Sequence, residues 1–260
     1  MRAHFLRAVQ KGGYDADAQA LFDARAGVSD EPTAAYKQAI SDYVTALKAV
    51  SGLWAGITQL VVIAGATTVA GARLSIKGNN LTNSNFVDAD INTKTGSLGN
   101  GTNKHWATGY TLSGRQNSHH AYAYYSSLPT TFSPAAALFG SGGSAAGMNC
   151  TFASASSVVY RSSNATSSSL TPGGVGGYGV NRTSSANYQR LNAGTTSTVT
   201  LTSGSPNTSD ILVQARTGST NIVETRANGR MLVWAFGDGI TTLADYNTPT
   251  SNLITALNAI

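Results

Sequence analysis

The sequence predicts a mainly β protein, an antiparallel β-sandwich with a helical segment before it and one helix after it. Three observations predict this. Turn signals recur at short intervals after about Gly71: Gly78 to Asn80, Asn83 to Asn85, Gly96, Gly99 to Gly101, and Ser113-Gly114. The runs between them are short and rich in Val, Ile, Thr and Tyr, the residues that suit a pleated, half-buried surface. Thr198 to Thr202 alternates, with Val199 and Leu201 on one face, as a strand with one wet side requires.

The first third reads as helical. Asp15 to Ala26 is rich in Ala, the best helix former, with Asp15 or Asp17 as its cap and Gly27 as its stop. Pro32 suits a first helical position, with Asp30 or Glu31 as the preceding cap. The helix that follows carries Tyr36, Ile40, Tyr43, Leu47 and Val50 at alternating steps of four and three, a single apolar stripe ended by Ser51-Gly52. Leu53 to Ile63 fits either a short helix or a buried strand. Downstream, His119 to Tyr125, Ser157 to Tyr160, Ile211 to Ala215, Asn221 to Thr225 and Arg230 to Phe236 read as strands. Leu253, Ile254, Leu257 and Ile260 form the apolar face of a closing helix that must pack on its own sheet or on a partner. The expected organisation is therefore a helical attachment segment over 1–70, a sandwich over 71–240 and an amphipathic helix over 241–260.

Composition narrows the function classes. Charged residues are 11% of the chain, against about one-quarter in an ordinary domain. Ser, Thr, Asn and Gly replace them, and such groups desolvate at lower cost than ions when protein packs on protein. The net charge of +5 comes from Lys94, Lys104, Arg115, Arg161, Arg182, Arg190 and others scattered singly. A nucleic-acid partner is therefore not expected. The apolar run from Leu60 to Ala66 is too short to span a membrane, and Met1 to Arg7 leads into no sustained apolar core of a secretory signal. Cys150 is the only cysteine, so it has no disulfide partner within the chain, and it reads as a buried, inert thiol.

Several stretches, taken in order, resemble a family of bacteriophage tail and virion proteins with a laminin-G-like domain. At the front they are Tyr14 to Ala20, the helix through Tyr43 to Lys48, and Gly52-Leu53-Trp54. In the middle, Gly99 to Asn103 leads through Trp106 to Thr108 into Asn117 to Ser126. At the end, Arg230 to Thr241 is similar to the family's last sandwich strand, and the closing helix corresponds too. Leu60 to Ala72 and Thr151 to Gly177 match nothing in the family. The resemblance implies a jelly roll of the concanavalin A or laminin-G type. It also implies a non-enzymatic virion component (tail, fibre or decoration protein), made in the host cytoplasm, repeated as a homo-oligomer beside other virion proteins, with a role in host attachment. The alternative is a carbohydrate-binding adhesin module that meets a host cell-surface glycan.

Chemistry is sparse. Glycoside hydrolysis ordinarily needs two carboxylates flanking the bond, and no Asp or Glu occurs between Asp90 and Asp210. The remaining candidates are Asp88, Asp90, Asp210, Glu224 and Asp238, and Glu224 is expected to pair with Arg226 or with a strand neighbour. Asp88 and Asp90 alternate on an expected strand end; with Asn85 or Asn92 they are the candidate ligands for Ca2+, which prefers hard oxygen donors. His119 and His120 should point to opposite faces, one to the core and one to solvent. Gly174 to Gly179 matches a dinucleotide fingerprint but lacks the strand before it and the helix after it, so it is expected to be a flexible loop. Trp106, Tyr110, Tyr178 and Tyr188 are the candidate aromatic platforms for a glycan.

Overall fold

The computed structural model describes residues 13–133, 135–142, 147–218 and 222–260. Met1 to Arg7, weighed above as a secretory signal, lies outside them. Two antiparallel sheets form a sandwich, and helices cover the outer face of one of them. The larger sheet is eight-stranded among the described residues. Its order is Thr195–Thr200, Asn187–Asn192, Gly176–Arg182, His119–Ser127, Arg230–Gly237, Gly96–Leu98 and Ile91–Asn92. Ile57–Val62 pairs with the latter part of Arg230–Gly237, from Val233 to Gly237. The smaller sheet runs Ser168–Leu170, Ser157–Ser162, Met148–Ser154, Ala136–Gly140, Leu212–Val213, His105–Ala107 and Thr82–Ser84. A separate hairpin joins Ala215–Thr217 to Val223–Arg226.

Helix α1 spans Ala16–Ala26, with the Asp15 carboxylate accepting from the Asp17 amide. Helix α2 spans Ala34–Ala49 and starts after Thr33, two residues later than Pro32 suggested. Asp30 does not cap it. Its buried carboxylate instead accepts from the Thr67 amide at 2.8 Å, which ties the α1–α2 turn to the chain leaving the first strand. The ambiguous Leu53 to Ile63 stretch is both things in turn: one helical turn over Leu53–Gly56, then the strand Ile57–Val62. That strand lies inside the segment 1–70 yet belongs to the larger sheet.

Two cores result, one on each face of the larger sheet. Between the sheets, Tyr125, Tyr178, Met231, Trp234 and Phe236 meet Trp106, Phe139, Cys150, Phe152 and Tyr160. On the other face, Leu60, Val62, Tyr122, Leu232 and Val233 meet Leu21, Phe22, Ile40, Tyr43, Leu47, Leu253 and Leu257 of the helices. Tyr36, Ile40, Tyr43 and Leu47 of the predicted stripe are all buried. Leu253 and Leu257 hold the closing helix, Asn247–Ala259, whose Pro249 sits in the first turn, where no intrahelical N–H is lost. Ile260, counted above in its apolar face, is exposed.

Candidate functional site

The sequence-predicted sites are placed as follows. The Trp106 ring is fully enclosed, stacks on Phe86 at 4.4 Å and donates to Ser97 Oγ at 3.1 Å. Tyr178 and Tyr188 are enclosed as well; Tyr178 donates to the Gly174 carbonyl, and the Tyr188 hydroxyl reaches Ser168 and the Tyr160 carbonyl. These three rings have no open face for a sugar, because alternation along their strands turns them between the sheets. Tyr110 is half-buried against Phe236, and its hydroxyl accepts from the Asn79 amide. The glycan platform expected from these four residues is therefore not assembled.

Asp88 and Asp90 do not alternate on a strand. They lie on a 3-10 turn, Asp88–Asp90, and their carboxylates are directed to protein groups. Asp88 accepts from the Val69 amide at 2.7 Å. Asp90 holds Lys104 Nζ at 2.6 and 2.7 Å and also accepts from the Val87 amide. Asn92 accepts from the Lys94 and Thr95 amides, and Asn85 donates to the Asn103 carbonyl. Among the described residues no group of three or more His, Cys, Asp or Glu side chains converges as a metal site would.

The other acids are similarly engaged. Arg115 pairs with Asp238, and exposed Glu224 lies 3.3 Å from Arg216, its neighbour across the hairpin, rather than on Arg226. Both His119 and His120 are buried, contrary to the expectation of one solvent face, because helices cover the side that alternation would otherwise leave wet. His119 contacts the Arg115 carbonyl and Ser162 Oγ, each at 2.7 Å. His120 contacts the Asp238 carbonyl and, at 2.9 Å, the Tyr246 hydroxyl. Burial pushes each imidazole down to about 4, so both are neutral at pH 7. The Gly-rich stretch is a loop only at Gly174 and Val175: Gly176–Arg182 is a strand held between His119–Ser127 and Asn187–Asn192. Cys150 is buried between the sheets, and desolvation pushes its thiol up, which leaves little nucleophilic thiolate.

A groove that none of these readings anticipated opens beside that glycine strand. It has a volume of about 310 Å³ and lies between the larger sheet and the closing helix. Tyr124 lines it; on His119–Ser127 it falls on the same face as Tyr122, toward the helices, and it is half-buried. Its antiparallel partner is Gly177. A Cβ at Gly177 would lie 2.7 Å from the Tyr122 ring, which stacks on Tyr246 at 4.2 Å, so glycine there keeps the stack intact and leaves backbone as the groove floor. The other wall is the closing helix, through Asn247, Ser251, Ile254 and Thr255. Asn247 Nδ2 donates to the Gly194 carbonyl at 2.7 Å and pins the first helical turn to the hairpin turn. Thr255 Oγ1 donates to the Ser251 carbonyl at 2.9 Å, so its lone pairs remain as acceptors. The signal for this groove in the sequence was Tyr124 opposite a glycine run, which becomes visible only once the strand register is known.

No protein-family model matches the chain, and no curated protein sequence matches it. Among solved structures, it is similar to the CBM40 of a Ruminococcus gnavus IT-sialidase bound to alpha2,3 sialyllactose, with TM-score 0.44 and 11% identity, over 60% of this chain and 96% of that one. Domains LG4-5 of the mouse laminin alpha1 chain align with TM-score 0.37 and 10% identity, over 63% and 44% of the two chains. A Trypanosoma rangeli sialidase aligns with TM-score 0.40 and 12% identity, over 84% and 39%. The sandwich assignment rests on this chain's own strand pairing and its two cores.

Proposed function

We propose that the chain is a non-catalytic component of a bacteriophage particle, and that its sandwich serves as a glycan-recognition module for host attachment. The observation that carries this reading is where the family-like stretches meet. They are far apart in sequence, yet they form one structural unit. Asn117 to Ser126 and Arg230 to Gly237 are adjacent central strands, with Trp234 opposite Ala123. The Gly99 amide donates to the Gly229 carbonyl, just before that last strand. Tyr43 of α2 joins Leu253 and Leu257 of the closing helix in the core on the outer face of those strands. The resemblance thus follows the framework of the fold, which is what shared descent of a module retains.

The side-chain chemistry supports a binding role. Asp90, Glu224 and Asp238 are each held by a cation, as described above, and no charged side chain lines the groove beside Tyr124. Uncharged walls of hydroxyl, amide, backbone and one aromatic face suit a ligand that is bound and released unchanged. The chain is expected in purified particles at the stoichiometry of a symmetric homo-oligomer. Quantitative mass spectrometry of particles checks this, together with the adsorption of the purified protein to host envelope fractions. Absence from the particles sinks the particle half of the proposal, and absence of adsorption sinks the attachment half.

A further inference from the structure

We infer that the groove between Tyr124 and the closing helix is a saccharide site, and that it selects neutral sugars over acidic ones. This rests on the reading of the chain as a glycan-recognition module and names the place and ligand class for it. Five features point there. The volume, about 310 Å³, is at the lower end of pockets that bury a small ligand, roughly 300–1,000 Å³, and suits one or two sugar rings. Tyr124 presents a half-buried ring at its edge, the kind of apolar face on which the C–H face of a pyranose packs.

The polar groups are of the right kind. Ser251 is exposed on the helix and can both donate and accept. Thr255, whose proton is used within the helix, is left as an acceptor for a sugar hydroxyl. Asn247 adds an amide that its bond to Gly194 already orients, so little ordering is lost on binding. Finally, none of the lining side chains carries a charge. A carboxylated sugar would have to shed its hydration there with no cation to receive it, whereas a neutral sugar meets matched donors and acceptors. The glycine floor at Gly176 and Gly177 lets a ring approach the sheet backbone, which any side chain would prevent.

The test uses the full chain on an immobilised panel of neutral oligosaccharides ending in galactose, glucose, mannose or N-acetylglucosamine, with sialyllactose as the acidic comparison. Wild-type protein is expected to bind at least one neutral member and to bind sialyllactose more weakly. Tyr124→Ala is expected to weaken that binding by about tenfold or more, as loss of an aromatic anchor does. Ser251→Trp fills the groove from an exposed helix position and is expected to abolish it, with the thermal midpoint unchanged as proof of folding. If wild-type protein binds no saccharide, the recognition reading itself falls. If it binds but both folded variants bind equally well, the site lies elsewhere and this inference alone is overturned. Preference for sialyllactose overturns the neutral-sugar assignment.

Discussion

At the residue scale, the unusual feature is how many polar side chains the protein buries, the two largest of them bonded to backbone carbonyls. Arg25 is fully buried and donates to the Ala64 and Val62 carbonyls at 2.8 and 2.7 Å. Arg182, equally enclosed, reaches the carbonyls of Ser162, Ser184, Ser185 and Leu201. Neither arginine is a surface cation awaiting a partner; each ties separate chain segments together through their carbonyls. His119 and His120 do the same as neutral rings, and this has a pH consequence. Their folded pKa of about 4 lies below the unfolded value of about 6.5. Between these values the unfolded chain binds more protons than the folded one, so stability is complete above about pH 6.5 and is lost as pH falls towards 4. The loss is on the order of 3 kcal/mol per histidine. Thermal midpoints are expected to fall steadily from about pH 6.5 to 5, and the double variant His119→Gln, His120→Gln is expected to flatten that slope. An equally steep slope in the variant would place the protons elsewhere.

At the element scale, the glycine strand shows how a sequence signal misleads. Gly174 to Gly179 suggests a loop because no buried apolar strand precedes it and no helix follows it. Yet Gly176–Arg182 is central in the larger sheet, because its neighbours need the space. A Cβ at Gly179 would lie 2.6 Å from the Ala121 carbonyl and 3.2 Å from Leu243. Gly179→Val is therefore expected to destabilise the protein by about 3 kcal/mol or more, since backbone rather than a flexible side chain must move. Chemical denaturation reads this as a lowered midpoint, and a change within about 0.5 kcal/mol would show that the strand shifts freely. By contrast, the α2 stripe was legible. Its period matches a helix, and tertiary packing buries the face that the period marked. The α2 start was less legible, because Asp30 found a buried partner in Thr67 rather than a helix end.

At the scale of the whole molecule, the larger sheet is shared by two cores. The helices contact it through Leu60, Val62, Leu232 and Val233, while the sandwich interior contacts it through Trp234 and Phe236 of the same strand. Losing the helical layer exposes one face of the strands that hold the other core. The protein is therefore expected to unfold in a single transition, with calorimetric and van't Hoff enthalpies that agree. Removing residues 1–56 is expected to leave no independently folded sandwich. Two separate transitions, or a truncated chain with native near-ultraviolet dichroism, would mean that the helical segment is a domain of its own.

The sequence by itself determined the class of fold, the main helices and most of the strands, because each rests on local periodicity and turn chemistry. It also determined the shortage of acids in the sandwich, since a residue that is absent cannot be brought in by folding. Only the tertiary structure decided which aromatic rings face outward. Alternation states that Tyr122 and Tyr124 share a face, but not that helices cover that face over Tyr122 and leave it open at Tyr124. That layer closed over His120 through Tyr246, the smaller sheet met His119 through Ser162, and the two sheets enclosed Trp106, Tyr178 and Tyr188 between them. Burial of a strand's two faces depends on what arrives from distant parts of the chain, and no local pattern carries that information.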